Sequence, residues 1–188
     1  MATPIAHSLF GLACVRLGNT HWRAPAWRWY LFAIVAANAP DLDFIPGLLV
    51  GDINRFHQGP THSLTAALLF GVFATLAARW LQSKPLHVGI LGTALYSSHL
   101  LLDFFCRDGR PPFGQPLLWP FTDTHWIAPQ PLFSGGIKHG VPGDSLVVFI
   151  QNVFSWHNLG VMAMEAVILL PLLLISWYLT RNQRQSTG

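Results

Sequence analysis

Charged side chains are scarce in this chain. Asp, Glu, Lys and Arg make up 10% of its 188 residues, while 52% are hydrophobic. Soluble domains carry roughly 25% charged residues, so this balance excludes an ordinary soluble fold and indicates a membrane protein. Cysteine is nearly absent. Cys14 and Cys106 lie in or beside apolar runs without C-x-x-C spacing, which excludes a disulfide framework and a thiolate zinc site and leaves both as packing residues. A concentrated basic patch is also missing. The formal charge is +3 and the pI about 9.2, but the Lys and Arg residues are scattered between apolar runs. They read as membrane-flanking charges, and no nucleic-acid partner is expected. The apolar patch from Ile5 to Val15 lacks a basic start and contains His7, so it is expected to be retained and not cleaved as a secretory signal. There is no internal repeat and no low-complexity tract.

What is present is a set of long apolar runs. A helix needs about 20 apolar residues to cross the hydrocarbon core. Thr61 to Leu81, Leu86 to Phe105 and Leu159 to Thr180 meet that length. Trp27 to about Leu42 is shorter and ends in Asn38-Ala39-Pro40-Asp41-Leu42-Asp43-Phe44-Ile45-Pro46, where two prolines are expected to break the helix around the carboxylates. Pro4 to Leu17 is too short to span alone but long enough to cross when packed against neighbours. The expected fold is therefore all-α: a polytopic integral membrane bundle of about four or five spans forming a single domain over residues 1–188. Residues 106–158 are rich in Pro, Gly and Trp and read as one long extramembrane loop. Within it, Asp144 to Phe154 suits a short or interfacial helix capped by Asp144 or Ser145. The tryptophans Trp27, Trp29, Trp80, Trp119, Trp126, Trp156 and Trp177 read as interfacial anchors.

Alternation of the helices puts Arg16, Arg23, Arg28, Arg79, Lys84, Arg181 and Arg184 on one side and Arg55, Arg107, Arg110 and Lys138 on the other. The excess of positive charge places the first side in the cytoplasm. Asp41, Asp43, His57, His62, His99 and Asp103 then all fall at the extracytoplasmic end, with the long loop over them as a lid. His7 joins them if its segment crosses.

These residues form three clusters at helix ends. His57-Gln58-Gly59-Pro60-Thr61-His62-Ser63 puts one imidazole in a turn and another at the start of a helix, where free N–H groups also favour an anion. His99 and Asp103 are spaced i, i+4 and share a helical face. Asp41 and Asp43 lie between prolines and can both turn to one point. Each cluster has a structural reading by itself: a helix start, an Asp orienting a His, a pair of caps. Their coincidence at one end favours a metal centre. Mixed imidazole and carboxylate donors suit zinc, manganese or iron and argue for hydrolytic chemistry.

Other candidates carry less. Glu165 lies about two turns inside the last apolar run, where an ionisable group calls for a partner or a task, an Arg pair or a general base among them. Arg107 and Arg110 suit a phosphate clamp or ordinary interfacial roles. His125, His139 and His157 sit in or beside the loop and are set aside as solvated.

The motifs resemble those of the YdjM-like family of bacterial inner-membrane, metal-dependent hydrolases. The resemblance rests on His7-Ser8, Pro40-Asp41-Leu42-Asp43, His57-x-Gly59-x-Thr61-His62-Ser63, His99-x-x-x-Asp103 and Trp119-Pro120-Phe121, and spans residues 7 to about 121. Gln58 stands where the family commonly has Arg, and Phe105 to Gly114 is longer or richer in proline than the family pattern. More distantly the pattern is similar to the zinc-dependent phospholipase C and single-strand nuclease superfamily, which implies a phosphoester substrate.

The expectation is a multi-pass inner-membrane hydrolase with two or three divalent ions, zinc or else manganese, held by His7, Asp41, Asp43, His57, His62, His99 and Asp103. Asp43, His62 and Asp103 are the residues expected to carry catalysis. Its partners would be membrane lipid and a lipid-like or lipid-linked phosphoester. The rival reading is a transporter or sensor that uses the same ligands without chemistry.

Overall fold

Every regular element in the described residues is helical; the only strand-like features are single bridges at Cys106–Phe133 and Gln115–Trp126. The structure is a computed structural model describing residues 1–18, 23–109, 111–136 and 146–185. Arg110, Lys138, His139, Asp144 and Ser145 lie outside them. The helices are α1 (Pro4–Gly18), α2 (Ala26–Asn38), α3 (Phe44–Leu49), α4 (Leu64–Ala74), α5 (Pro85–Phe104), α6 (Leu146–Val153) and α7 (Trp156–Gln185).

Local chemistry explains the starts. Pro4 opens α1 and Pro85 opens α5, at the first helical position where a missing N–H costs nothing. Ser63 caps α4, its hydroxyl accepting the Ala66 N–H at 3.1 Å. The helix therefore begins at Leu64, not at Thr61 or His62, which lie in a preceding 3-10 turn, Pro60–His62. The expected break around Pro40 and Pro46 is milder than a rupture. After Asn38 the chain tightens into a 3-10 turn, Ala39–Asp43, and resumes as α3. Pro40 sits where the 3-10 turn starts, so its absent N–H is tolerated and the axis carries on.

Among the described residues two stretches are long and apolar enough to cross a membrane: Ala26–Leu49, counted through the 3-10 turn, and Trp156–Arg181. Pro4–Gly18 and Leu64–Ala78 are shorter apolar helices. Large exposed apolar side chains such as Val72 and Phe73 on α4, Leu76 in the 3-10 turn after it, and Val167 and Leu174 on α7 would be anomalous in water and are natural against lipid.

Small residues let the helices approach. A Cβ on Gly11 would stand 2.8 Å from Ala37 Cβ, so α1 and α2 are in backbone-close contact along the fully buried Ala33, Ala36 and Ala37. A Cβ on Gly92 would stand 2.6 Å from Ala74 Cβ, which locks α4 to α5. Trp29, Phe32, Leu81, Val88 and Leu95 form the main core. Trp29 is thus wholly buried and no interfacial anchor, with edge contacts to Phe32 and His87. Trp27, Trp126, Trp156 and Trp177 remain exposed, as anchors require.

The described part of the loop is no free flap. Arg107 and Phe133, Ala128 and Phe104, and Leu64 and Leu117 are joined by backbone hydrogen bonds, and the buried Gln115 amide donates to Leu100 O at 2.6 Å. Phe133 and Cys106 pack on Ala2 and Ala6. Cys14 is half-buried and, like Cys106, a free thiol.

Candidate metal centre

The 3-10 turn after α2, the 3-10 turn before α4, the first helical turns of α1 and the last turn of α5 meet at one end of the bundle. They bring all seven expected ligands together. His7, His62 and His99 are fully buried and Asp103 is 6% exposed. Asp41 is the open member, its side chain 13% exposed.

Two imidazole nitrogens face the same two carboxylate oxygens. His99 Nε2 lies 3.4 Å from Asp103 Oδ2 and 3.6 Å from Asp41 Oδ1, and His62 Nε2 lies 3.9 and 3.8 Å from the same two oxygens. A tetrahedron built on zinc–ligand bonds of about 2.0–2.2 Å has edges of about 3.3–3.6 Å. The four imidazole–carboxylate edges are that size or slightly longer, too long for hydrogen bonds and short enough for a shared cation. His62 Nε2 and Asp103 Oδ2 are buried without a hydrogen-bond partner among the described residues. Buried polar atoms are normally satisfied, so this convergence fits a bound cation.

The groups behind the donors fix their lone pairs. His99 Nδ1 lies 2.8 Å from Ala37 O, and a carbonyl only accepts, so Nδ1 carries the proton and Nε2 presents its lone pair to the centre. Asp43 does the same for the other side. Its Oδ1 lies 2.8 Å from His57 Nδ1, and its Oδ2 lies 3.2 Å from His62 Nδ1 and accepts the Thr61 hydroxyl at 2.8 Å. Both Asp43 oxygens are therefore engaged, and the geometry makes Asp43 an orienting carboxylate behind His57 and His62. Thr61 is in turn held by Tyr96, whose hydroxyl donates to Thr61 O at 2.7 Å.

His7 stacks on His99 with ring centroids 3.6 Å apart and an interplanar angle of 11°. Its Nε2 is 3.4 Å from Asp103 Oδ1, and neither ring nitrogen makes a hydrogen bond among the described residues. His57 stands at the edge, stacked on Phe44 at 3.9 Å, with Nε2 2.8 Å from Met1 Sδ. Gln58 next to it adopts φ +60°, a left-handed conformation that turns the chain sharply between the two histidines.

Three overlapping sets of donors lie within 4.8 Å of one another: His7, Asp41, His99; Asp41, His57, His62; and His62, His99, Asp103. His62 and His99 each have one ring nitrogen to offer, so the three sets cannot all be filled at once.

Several contributors had no signal in the sequence. The Ala2 N–H donates to Asp103 Oδ1 at 2.7 Å, holding that carboxylate from behind. Glu165 is wholly buried and takes neither an Arg nor a place among the four donors; it accepts the Thr3 N–H at 3.1 Å and the Thr3 hydroxyl. Only the unusual burial of a Glu in an apolar run hinted that it had a partner. The anion site expected at the start of α4 is weakened, because the Ser63 side chain takes the Ala66 N–H and Leu117 O takes the Leu64 N–H. Arg107 is exposed one turn past Asp103, His125 bonds only its own loop through Asp123 O, and His157 is exposed on α7.

A family model described as YdjM inner membrane protein matches residues 1–183. No curated protein and no solved structure matches the chain.

Proposed function

Since this chain belongs to the YdjM inner membrane protein family, we propose that it is a membrane-bound, metal-dependent hydrolase acting on a phosphoester of a lipid or lipid-linked substrate. The observation that carries this reading is the set of His62, His99, Asp41 and Asp103, with imidazole–carboxylate distances of 3.4–3.9 Å and with His62 Nε2 and Asp103 Oδ2 buried without a hydrogen-bond partner among the described residues. Two imidazoles and two carboxylates suit zinc, with manganese as the alternative. His7 and His57 flank the set and provide for a second cation, with Asp103 and Asp41 as the carboxylates able to bridge.

A cation of this class supplies Lewis acidity, acidifying a water and offsetting negative charge on a phosphoryl oxygen. The chain's own residues do the rest. Ala37 O fixes the tautomer of His99, and Thr61 Oγ1 at 3.1 Å together with Asp43 Oδ2 at 3.2 Å that of His62, so the donors need no reorganisation on binding. Ala2 N–H and His7 hold Asp103, and the Met1–Thr3 segment, covered by Phe133 and Gly136, closes that side to water. Asp41 alone is partly open, so substrate approaches from its side. The rim there is apolar, with Leu42, Ile45 and Leu49 exposed at 58%, 54% and 82%. That surface suits a substrate delivered from a lipid layer. We further propose a multi-pass arrangement of four or five spans, in which α1, α4 and α5 cross beside the two longer stretches and the basic helix ends face the cytoplasm. The site then lies at the extracytoplasmic end.

The test is metal analysis of detergent-purified protein, wild type against His62→Ala and Asp103→Ala, followed by hydrolysis assays on phospholipids and polyprenyl phosphates. Stoichiometric metal in the wild type, its loss in both variants and metal-dependent phosphate release are expected. Wild-type protein without metal would sink the reading; metal without hydrolysis on any phosphoester would make it a metal-binding protein that transports or senses the ion.

A further inference from the structure

The other end of the bundle holds a buried cation with no carboxylate partner among the described residues. Arg16 lies nine residues beyond His7 on α1, about 13 Å further along the helix axis. It is 4% exposed. One guanidinium nitrogen donates to the Tyr30 hydroxyl and another to Thr180 Oγ1 at 3.0 Å, while Nε donates to nothing among the described residues. Both partners are neutral. The chain's eight side-chain carboxylates are residues 41, 43, 52, 103, 108, 123, 144 and 165. None belongs to the last two turns of α1, the first turns of α2 or the end of α7, the three pieces that meet at Arg16. A buried guanidinium without an anion is costly, so it calls for one from outside the chain.

Arg16 and Tyr30 close one end of a groove of about 610 Å³ between α1, α2 and α7. Its walls are Leu12, Ile34, Leu173, Leu174 and Trp177, almost entirely apolar. Ile34 and Leu174 are 37% and 58% exposed, so the groove opens sideways onto the surface read here as lipid-facing. The Arg181 guanidinium lies over the Trp177 and Tyr178 rings at 5.5 and 5.2 Å, adding a second cation at the same end.

We propose that this groove is a binding site for an anionic phospholipid. Its phosphate bonds the Arg16 guanidinium and one acyl chain lies along Leu12, Ile34 and Leu173. Guanidinium matches phosphate oxygens with paired hydrogen bonds, and the groove length beyond it takes hydrocarbon and no polar group. The site is separate from the metal centre and does not depend on the hydrolase reading. A lipid held there would glue α1, α2 and α7 together.

The experiment is native mass spectrometry of the full detergent-purified chain. It is titrated with phosphatidylglycerol and phosphatidylethanolamine of identical acyl chains, with inorganic phosphate as the headgroup-only arm. Both lipids carry the phosphate, but the ammonium of phosphatidylethanolamine offsets its charge beside Arg16, so the expected result is about tenfold tighter binding of the net-anionic phosphatidylglycerol. Arg16→Gln is expected to bring the two lipids within about twofold of each other. Leu174→Trp fills the groove from an exposed position, and is expected to weaken both lipids while leaving metal content unchanged. Equal binding of the two lipids by the wild type, or tenfold preference persisting in Arg16→Gln, overturns the proposal. Displacement of phosphatidylglycerol by inorganic phosphate alone overturns the acyl-chain part. If Arg16→Gln does not fold, Leu174→Trp decides: undiminished lipid binding refutes the groove.

Discussion

Replacing Asp43 by Asn separates an orienting carboxylate from a direct ligand. Three donors converge on the two Asp43 oxygens: the Nδ1 groups of His57 and His62 at 2.8 and 3.2 Å and the Thr61 hydroxyl at 2.8 Å. Asn keeps the shape but offers one acceptor oxygen and an amide that donates. One of the imidazole N–H groups then faces another donor, and that ring must rotate or change tautomer. If it is His62, the lone pair of Nε2 leaves the metal centre. Second-sphere losses of this kind cost 10–100-fold in metal affinity, or about 1.4–2.7 kcal/mol, without removing a ligand. Asp43→Asn should therefore still bind metal stoichiometrically, at 10–100-fold weaker affinity in competition titration against a chromogenic chelator. His99→Gln, which removes one of the four donors, should lose stoichiometric binding under the same conditions. Loss of all metal from Asp43→Asn would make Asp43 a ligand, and unchanged affinity would deny it any orienting role.

Stripping the metal with a chelator should lower the unfolding temperature, since binding to the folded state alone stabilises by about 2.7 kcal/mol at a hundredfold excess over Kd; a thermal melt that does not move on chelation and recover on zinc addition contradicts the centre. Gly92→Val puts a Cβ 2.6 Å from Ala74 Cβ and should destabilise the α4–α5 contact by about 1–3 kcal/mol, read as a lower melting temperature in detergent. Glu165→Gln leaves one acceptor for the two Thr3 donors and should cost about 1–3 kcal/mol of stability. Because Thr3 carries Ala2, whose N–H holds Asp103, the same variant should also weaken metal binding, whereas Val167→Ala, on the exposed face of α7, should not.

How much of this was legible beforehand varies with the range of the interaction. Apolar runs and their bounding prolines are local, so the helices over 27–42, 86–105 and 159–180 were readable to within a few residues, and so was the short helix inside the loop. The start of α4 was misplaced by two or three residues, because Ser63 outcompetes Thr61 and His62 as a cap once Leu64 N–H is taken by Leu117, some fifty residues away. Trp29 looked like its exposed neighbour Trp27, and only packing against Phe32, Leu81 and Val88 buried it.

By itself the sequence determined the membrane class, the helical character and the seven ligand candidates, because composition, hydrophobic length and residue chemistry are properties of short stretches. It could not assign their roles. Whether Asp43 binds a cation or orients two imidazoles depends on which of its oxygens other groups occupy, and those groups come from a separate turn. Ala2 and Thr3 enter the site through backbone and hydroxyl contacts to Asp103 and Glu165, more than a hundred residues away. The buried charge of Arg16 was equally invisible, since a buried cation is unusual only once the chain around it is folded and no carboxylate stands beside it among the described residues.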